Sequence, residues 1–185
     1  MTDTTVQVRK AGMRDIPPIL ALINSYAADG IMLPRTEFEM SENIRDFSVA
    51  YEGNTLVGCA ALHFYTPTSA EVRSLAVLKD RKRDGVGRAL VEALEEEARE
   101  NDLDSLFAFT YVPQFFSRLG FEEVERGELP LKAWKDCLRC PKFHNCDEIA
   151  VLKYLKEPSF ARSSLANSLA SELIQFPTVN HTTYR

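Results

Sequence analysis

The sequence predicts an α+β fold, with a mixed, mostly antiparallel central sheet of about seven strands and flanking helices. Two observations carry this prediction. Short apolar or alternating segments recur along the 185 residues, and helical periodicities interrupt them in the order β-α-α-β-β-β-α-β-α-β-β. The length suits one domain over residues 1–156, followed by a polar C-terminal tail over 157–185 that has room for one short helix.

The first part of the chain is predicted to form one strand and two helices. Two prolines open the first helical pattern, which is acceptable because proline is tolerated in the first turn of a helix. The spacing of Thr36 and Glu39 is a T-x-x-E capping box, which predicts the start of the second helix. The strand, the first helix and the loop after it are predicted at 6–11, 13–30 and 31–35.

The rest of the chain alternates strands with two more helices. The longer helix is amphipathic, because Val86, Leu90, Leu94 and Ala98 fall on one stripe. The dipeptide Gly53-Asn54 predicts the turn of a hairpin. The predicted elements are the hairpin over 47–65, strands over 70–78, 105–111, 121–125 and 147–155, the long helix over 84–103 and a short helix over 112–121.

Charge and composition exclude several classes of protein. A net charge of −5 argues against broad binding to nucleic acid or to anionic membranes, so neither is an expected partner. No apolar run approaches the ~18 residues of a membrane-spanning helix, and the N-terminus has no basic-then-apolar signal. We therefore expect a cytoplasmic protein whose four cysteines stay reduced.

The stretch RKRDGVGR, at residues 81–88, concentrates positive charge in an acidic chain. Gly85 and Gly87 stand between an apolar strand and the long helix, whose first N–H groups have no partner within the helix. Such a turn, strengthened by the helix dipole, can cradle a phosphate or pyrophosphate. A solvated charged loop is the alternative interpretation. The spacing matches neither a Walker loop nor a G-x-G-x-x-G dinucleotide fingerprint.

Three stretches, VRSLAVL, KRDGVG and FFSRLGF, together with the order of elements, resemble the GNAT superfamily of acetyl-CoA-dependent N-acetyltransferases over about residues 6–155. The resemblance implies that acetyl-CoA is the co-substrate, with its pyrophosphate on the loop and its pantetheine arm along the preceding strand. Phe116 stands where many members have a Tyr that donates a proton to the departing thiolate. The implied cofactor-binding residues are Leu75, Ala76, Val77, Lys82, Arg83, Asp84, Gly85, Val86, Gly87, Arg88 and Phe116.

Further stretches resemble one branch of that superfamily, the short, stand-alone N-acetylglutamate synthases. They are GIMLPRT, VGCAALHFY, AEVRSLAV, FTYVPQFFSRLGF and LPLKAWKDCLRCPKFHNCDEIAV. The resemblance implies transfer of acetyl to the α-amine of L-glutamate by direct attack, the first step of arginine biosynthesis. Longer members of this branch carry an additional domain that resembles an amino-acid kinase. We expect no room for that domain in this chain, and therefore no arginine feedback site of the kind it houses. An acetyltransferase for another amino acid or small amine, and a non-catalytic acyl-CoA-binding regulatory module, remain as alternatives.

The chemistry requires a base that removes a proton from the substrate ammonium before the amine attacks the thioester. By resemblance this base is Glu71, acting through water; an exposed strand-end carboxylate is the alternative. Ser74 matches a position that contacts the substrate in the longer enzymes. Because strict alternation puts it on the face opposite Glu71, a β-bulge between them is needed. Thr110, and after it Tyr111, are the candidate acids at the departing sulfur, with plain strand-end hydroxyls as the alternative.

A dicarboxylic substrate requires cations, and a guanidinium group matches a carboxylate in bidentate geometry. Arg9 resembles a carboxylate-binding arginine of the longer enzymes, and Arg35 lies in the loop that lines the amine site in this fold. Arg73 and Lys142 are the other candidates for substrate binding. Each of them could equally be a surface cation.

A cysteine-containing insertion over 129–146 is predicted before the last strand. Cys137, Cys140, His144 and Cys146 offer the donor atoms of a tetrahedral zinc site, but their spacing is tight. We therefore expect reduced thiols that pack the insertion over the mouth of the active site, without zinc or another metal. The sequence leaves open whether the chain forms a homodimer.

Overall fold

The structure is a computed structural model that describes residues 6–129, 140–142 and 145–156. Its described residues form seven strands and four α-helices in the predicted order. The strands are β1 (Gln7–Lys10), β2 (Phe47–Glu52), β3 (Thr55–Thr66), β4 (Ser69–Val77), β5 (Ser105–Thr110), β6 (Glu122–Glu123) and β7 (Ile149–Tyr154). The helices are α1 (Ile16–Ala28), α2 (Glu37–Asn43), α3 (Val86–Glu100) and α4 (Pro113–Ser117).

The strands form one sheet in the order β1-β2-β3-β4-β5-β7-β6. Neighbouring strands are antiparallel except β4 and β5, which run parallel because α3 forms the crossover between them. Their pairing is short: it starts at Ser69 with Ser105 and ends at Glu71 with Phe107. Both strands continue beyond that pair, so the sheet opens between them.

Helices cover both faces of the sheet. On one face, the predicted apolar stripe of α3 is buried against β2, β3 and β4. On the other face, α1 and α2 enclose Cys59 of β3 completely, and this burial raises the pKa of its thiol to about 12. Because β3 is enclosed on both sides, it carries consecutive apolar residues instead of alternating ones.

Gly58 on β3 sets how closely α3 approaches the sheet. A Cβ atom at this position would lie 3.0 Å from side-chain atoms of both Val86 and Leu90, and 3.1 Å from the backbone oxygen of Ala76. A larger residue would push the helix outward. The glycine therefore keeps the first turns of α3 against β3 and β4.

A buried ion pair joins α3 to the last strand. The Nζ atom of Lys153 lies 2.5 Å from Glu95 Oε1 and 2.6 Å from the backbone oxygen of Leu119. Arg99, one turn further along α3, lies 3.4 Å from Glu95 Oε2, so loss of the lysine would leave this carboxylate, which is only 6% exposed, with the more distant of its two cations. The pair therefore holds α3, the chain after α4 and β7 in one arrangement.

A second polar cluster anchors the edge strand β1 to the turn before α1. Arg9 donates two hydrogen bonds of 2.8 Å to the Asp15 carboxylate, and the Tyr51 hydroxyl and the Gly12 N–H donate two more. These contacts, chiefly the hydrogen bonds from Arg9, lower the pKa of Asp15 to about 2 although the residue is buried. The carboxylate is therefore ionised throughout the neutral range.

The structure confirms the predicted fold class and the local signals behind it. The capping box forms, since the Glu39 N–H donates to Thr36 Oγ1 and the Thr36 N–H donates to Glu39 Oε2. The strand predicted over 121–125 is shorter than expected, because only two of its residues pair with β7.

The chain divides into two compact units, Met1–Leu155 and Lys156–Arg185. The predicted tail over 157–185 and most of the insertion, at 130–139 and 143–144, lie outside the described residues. Within the described part, none of the helices has the length and apolar character needed to cross a membrane.

We expect Asp15→Asn to lower the free energy of unfolding by about 1–2 kcal/mol at neutral pH. A carboxyl whose folded pKa is depressed contributes fully above its unfolded value of 3.8, and this contribution is lost as the pH falls through about 2. Urea unfolding at a series of pH values should therefore show the two proteins converging in acid. A difference that does not change with pH would contradict this account. Asp29→Asn is the control, because Asp29 pairs with Lys79 at the surface.

Candidate active site

A cleft of about 1240 Å³ opens where β4 and β5 part. Its walls come from β4, the end of β5 with α4, the loop after α1, the glycine loop before α3 and the segment before β7. The sequence-predicted residues that line it are Arg35, Glu71, Arg73, Ser74, Leu75, Ala76, Val77, Lys82, Arg83, Gly85, Gly87, Arg88, Thr110, Tyr111, Phe116 and Lys142. Three other predicted residues, Arg9, Asp84 and Val86, do not line it.

The glycine loop meets the cleft at the start of α3. Gly85 precedes the helix with a φ of 83°, a left-handed conformation that favours glycine. A Cβ atom at Gly85 would meet nothing within 4 Å, so the space beside this backbone is open to a ligand. Gly87 is more enclosed, since a Cβ atom there would lie 3.4 Å from the ring of Phe115. The open helix start fits a pyrophosphate group.

Not every cation of the stretch at residues 81–88 is free to act on the cleft. Lys82, Arg83 and Arg88 line the cleft. Arg81 also reaches it, but its guanidinium forms an ion pair with Glu52 on β2 and lies 3.9 Å from Asp84. Val86 is part of the core under the loop. Arg88 also lies 3.8 Å from Glu92 on α3, so the positive charge available to an anionic ligand comes mainly from Lys82 and Arg83, with a smaller part from Arg88.

The β4 wall contains the bulge that the residue spacing required. The pairing of β4 with β3 shifts by one residue after Arg73, and Ser74 takes a φ of 54°. As a result, Glu71 and Ser74 line the same cleft although three positions separate them. At the far end of the wall, the Tyr26 hydroxyl on α1 donates a 2.6 Å hydrogen bond to the backbone oxygen of Val77.

Glu71 lies at the last pair of the parallel strands, where the cleft begins. The residue is 8% exposed, and the hydroxyl of Tyr65 donates a 3.0 Å hydrogen bond to its Oε2 atom. A carboxylate that is mostly withdrawn from water but reaches a cleft is a candidate general base.

The end of β5 contributes two hydroxyl groups to the cleft. Thr110 is 6% exposed, and its Oγ1 accepts a 3.0 Å hydrogen bond from the Val112 N–H. The Tyr111 hydroxyl donates to Asp147 Oδ1 at 3.0 Å and accepts from Lys142 Nζ at 3.1 Å. Desolvation raises the pKa of Tyr111, so the phenol keeps its proton at neutral pH.

Three of the four predicted substrate cations line the cleft: Arg35, Arg73 and Lys142. The backbone of Arg35 is held by the side chain of Asn24 on α1, through hydrogen bonds of 2.9 and 3.0 Å. The ammonium of Lys142 is engaged with Tyr111 and Asp147. Arg35 and Arg73 are the first candidates for a substrate carboxylate because a planar guanidinium matches a carboxylate in bidentate geometry.

Arg9, the fourth predicted cation, has different surroundings. It lies on β1 at the edge of the sheet, bound to both oxygens of Asp15 and 4.9 Å from the ring centre of Tyr51. The structure does not bring it to the cleft. Its contacts give it a part in anchoring β1, and we leave it out of the candidate site.

Charged residues that the sequence patterns did not indicate also line the cleft, among them Arg126 and Glu148. Arg126 donates to the backbone oxygens of Cys146 and Glu148 at 3.1 and 2.5 Å, and desolvation raises the pKa of Glu148. Nothing in the sequence around Arg126 indicates this contact. Glu148 could have been found from strand register, because the next residue, Ile149, pairs with Thr110.

The cysteine-containing insertion is partly described. Cys140 and Cys146 are free thiols that line the cleft. Cys137 and His144 lie outside the described residues. Within the described ranges, no group of three or more His, Cys, Asp and Glu side chains could hold a metal ion. The expectation of an insertion without zinc therefore stays a prediction.

The split sheet, the glycine loop and the carboxylate between them define an acetyltransferase of the GNAT class. The sequence profile of the acetyltransferase (GNAT) family matches residues 20–121, and the chain belongs to this family. Its fold is similar to that of N-acetylglutamate synthase from Neisseria gonorrhoeae complexed with coenzyme A and N-acetyl-glutamate, with a TM-score of 0.75 and 28% identity. The match covers 84% of this chain and 36% of the Neisseria chain.

Two curated relatives narrow the comparison. An amino-acid acetyltransferase of Mycobacterium tuberculosis is 35% identical over 135 residues, which are 71% of this chain and 77% of the relative. An uncharacterised N-acetyltransferase of Chlorobaculum tepidum is 43% identical over 148 residues, or 80% of this chain and 96% of the relative. The protein is therefore an acetyl-CoA-dependent acetyltransferase similar to the amino-acid acetyltransferases.

We expect Gly85→Glu to abolish binding of acetyl-CoA, because the new carboxylate would occupy the position assigned to the pyrophosphate and would repel that group. The matched control is Gly53→Glu. Gly53 has a φ of 59° and equally open surroundings, but it lies in the β2–β3 turn and does not line the cleft. Both variants place a glutamate at a positive φ and add the same charge. Calorimetry that finds near-normal affinity in a folded Gly85→Glu protein would remove the pyrophosphate from this loop.

Proposed function

We propose that this protein transfers acetyl from acetyl-CoA to the α-amine of L-glutamate, the reaction of an N-acetylglutamate synthase. One observation carries the proposal: a single cleft contains an anion-binding helix start, the withdrawn carboxylate of Glu71, and Arg35 and Arg73. The Neisseria gonorrhoeae neighbour supports it, because that protein is complexed with coenzyme A and N-acetyl-glutamate.

The co-substrate acetyl-CoA is assigned to the glycine loop and the β4 wall. The backbone N–H groups at the start of α3 would hold the pyrophosphate, with Lys82, Arg83 and Arg88 adding positive charge. Past the bulge, Leu75 to Val77 line the cleft beside β5 without pairing to it. Their backbone groups would bind the pantetheine amides, apart from the Val77 oxygen, which accepts a hydrogen bond from Tyr26. Phe116 would close the apolar side of this channel.

Glu71 would act as the general base. It takes one proton from the substrate ammonium, directly or through water, and so creates the neutral amine that the reaction needs. The amine nitrogen then forms a bond to the thioester carbonyl carbon and becomes positively charged. As the tetrahedral intermediate collapses, the carbon–sulfur bond breaks and the nitrogen releases its surplus proton to solvent, which leaves the neutral amide. The reaction has no acyl-enzyme, because the substrate itself is the nucleophile.

The departing thiolate requires a proton, and two hydroxyl groups are candidates to give it. Tyr111 is favoured by its contacts, because its phenol remains protonated and the neighbouring Lys142 ammonium stabilises the phenolate that donation would leave. The hydroxyl of Thr110 is less acidic than the phenol of Tyr111. Its oxygen accepts a hydrogen bond from the Val112 N–H, which would stabilise the oxygen after donation. Either residue would replace the tyrosine that is absent at Phe116.

The two carboxylates of glutamate are assigned to Arg35 and Arg73. Both line the cleft that holds Glu71, and the hydrogen bonds from Asn24 fix the loop that carries Arg35. A planar guanidinium gives a carboxylate two parallel hydrogen bonds, which orients the substrate as well as binding it. The product would be N-acetylglutamate, which places the protein at the start of arginine biosynthesis in the cytoplasm.

A different amino acid is the second candidate substrate, and Glu148 is the observation that favours it. This carboxylate lines the same cleft, and desolvation raises its pKa. In its ionised form Glu148 would repel a side-chain carboxylate, and in the neutral form that the raised pKa favours its carbonyl oxygen would still accept a hydrogen bond from an amide or an ammonium. The substrate is thus decided by the balance of Glu148 against the arginines.

The proposed function is tested by following release of free coenzyme A from acetyl-CoA with each of the twenty amino acids. We expect glutamate to give kcat/KM at least about tenfold above any other, since a neutral side chain cannot form the charge-assisted, bidentate hydrogen bonds that a guanidinium gives to a carboxylate. Preference for a neutral amino acid would select the second candidate. Binding of acetyl-CoA without turnover on any of them would indicate the non-catalytic module.

We expect Glu71→Gln to lose at least about 100-fold in kcat while binding acetyl-CoA with near-normal affinity, because only proton removal is affected. Activity should recover as the pH approaches the pKa of the amine itself. Steady-state kinetics across pH measure both effects. The control is Glu97→Gln, which removes a carboxylate outside the cleft. An unchanged rate at neutral pH would exclude Glu71 as the base.

A further inference from the structure

Tyr65 on β3 touches the candidate base without lining the cleft. Its hydroxyl donates a 3.0 Å hydrogen bond to Glu71 Oε2. In the sheet, Glu71 is flanked by His63 of β3 and Phe107 of β5, so the three side chains lie in one row across the strands. Tyr65 stands two residues along β3 from His63 and reaches Glu71 diagonally.

The ring of Tyr65 is held on two sides. The His63 ring packs against it edge-on with centroids 4.9 Å apart, and the wholly buried Phe107 ring lies 5.6 Å away. His63 is in turn held by a 2.6 Å contact between its Nδ1 atom and Asp46 Oδ2. The phenol is therefore set in place before any substrate binds, and its hydrogen bond needs no further ordering of the side chain.

We propose that Tyr65 is a positioning residue that directs the Glu71 carboxylate toward the substrate ammonium and sets how readily it takes the proton. The inference rests on the proposed role of Glu71 as base. One oxygen of the carboxylate is fixed by the phenol, so the group cannot turn to present either oxygen to the cleft. A donated hydrogen bond also favours the ionised form over the protonated one.

The experiment compares Tyr65→Phe with the wild type by kcat/KM for glutamate across pH. The phenylalanine keeps the ring between His63 and Phe107 and removes only the hydroxyl. We expect the acidic limb of the kcat/KM profile to shift to higher pH by about one unit, because the hydrogen bond to the charged form of Glu71 is lost. We expect kcat at the optimum to fall about tenfold, with the KM for acetyl-CoA unchanged.

The matched control is Tyr51→Phe. Tyr51 also donates to a carboxylate, Asp15 Oδ1 at 2.9 Å, but this pair lies outside the cleft. Its loss should lower stability and leave the acidic limb where it is. Tyr65→Leu separates the ring from the hydroxyl: if packing alone matters, the leucine variant is impaired and Tyr65→Phe is not. That outcome, or an unmoved acidic limb in Tyr65→Phe, overturns the proposal.

Other titratable groups face Glu71 or share its cleft, and the design takes them into account. They are His63 with Asp46 on the β3 side, and Arg35, Arg73, Arg126, Lys142, Tyr111 and Glu148 within the cleft. His63→Phe retains a ring beside Tyr65 and removes the imidazole. A shift that persists in this background belongs to the phenol, and a shift that vanishes belongs to His63 and overturns the proposal.

A second substitution keeps the test decisive if Tyr65→Phe fails to fold. Site-specific replacement of Tyr65 by 3,5-difluorotyrosine makes the phenol a stronger donor, so the acidic limb should move down. An unmoved limb would overturn the inference. The Glu71→Gln variant separates the two levels of proposal. If Glu71→Gln is inactive and Tyr65→Phe behaves as wild type, only the role of Tyr65 is lost, whereas an active Glu71→Gln removes the base itself.

Discussion

The parallel pairing of β4 and β5 ends after Glu71 and Phe107, and the candidate site depends on that ending. Two strands that stay side by side would close the sheet and satisfy each other's backbone groups. Here they part, and the exposed backbone of β4 becomes a surface on which a ligand can complete the hydrogen bonds. The crossover helix follows β4 after the glycine loop, so the positive end of its dipole meets the same opening. One topological feature thus provides the cleft, the strand surface and the candidate anion site together.

Helix α1 connects the two sides of that cleft. Its Tyr26 holds the end of β4 through the backbone oxygen of Val77, and its Asn24 holds the loop that carries Arg35. The co-substrate wall and the loop assigned to the amino acid are therefore attached to one rigid element. A tilt of α1 would move both together. The helix is itself fixed from behind by its buried apolar face against β3 and β4.

The features that the sequence predicted are those with a local signature. The capping box at Thr36, the apolar stripe of α3 and the glycine turn at Gly85 are each decided within a few neighbouring residues. The contact between Tyr65 and Glu71 and the placement of Glu148 depend on the register of strands and segments that are distant in the chain, so no local pattern reveals them. Arg9 is a case in which the resemblance was misleading. The position resembles that of a substrate-binding arginine, but in the structure the guanidinium binds the nearby Asp15.

The ion pair between Glu95 and Lys153 has a consequence for synthesis of the chain. Helix α3 follows the loop assigned to the co-substrate, yet Lys153, which makes the shorter of the two ion pairs of its Glu95, lies on β7, close to the end of the described sheet. Until Lys153 has been synthesised, docking of α3 leaves Glu95 in the core with only the Arg99 guanidinium of the same helix, 3.4 Å away, as its cation. A nascent chain that stops before β7 therefore docks α3, and with it the loop assigned to the co-substrate, less stably than a chain that includes the last strand.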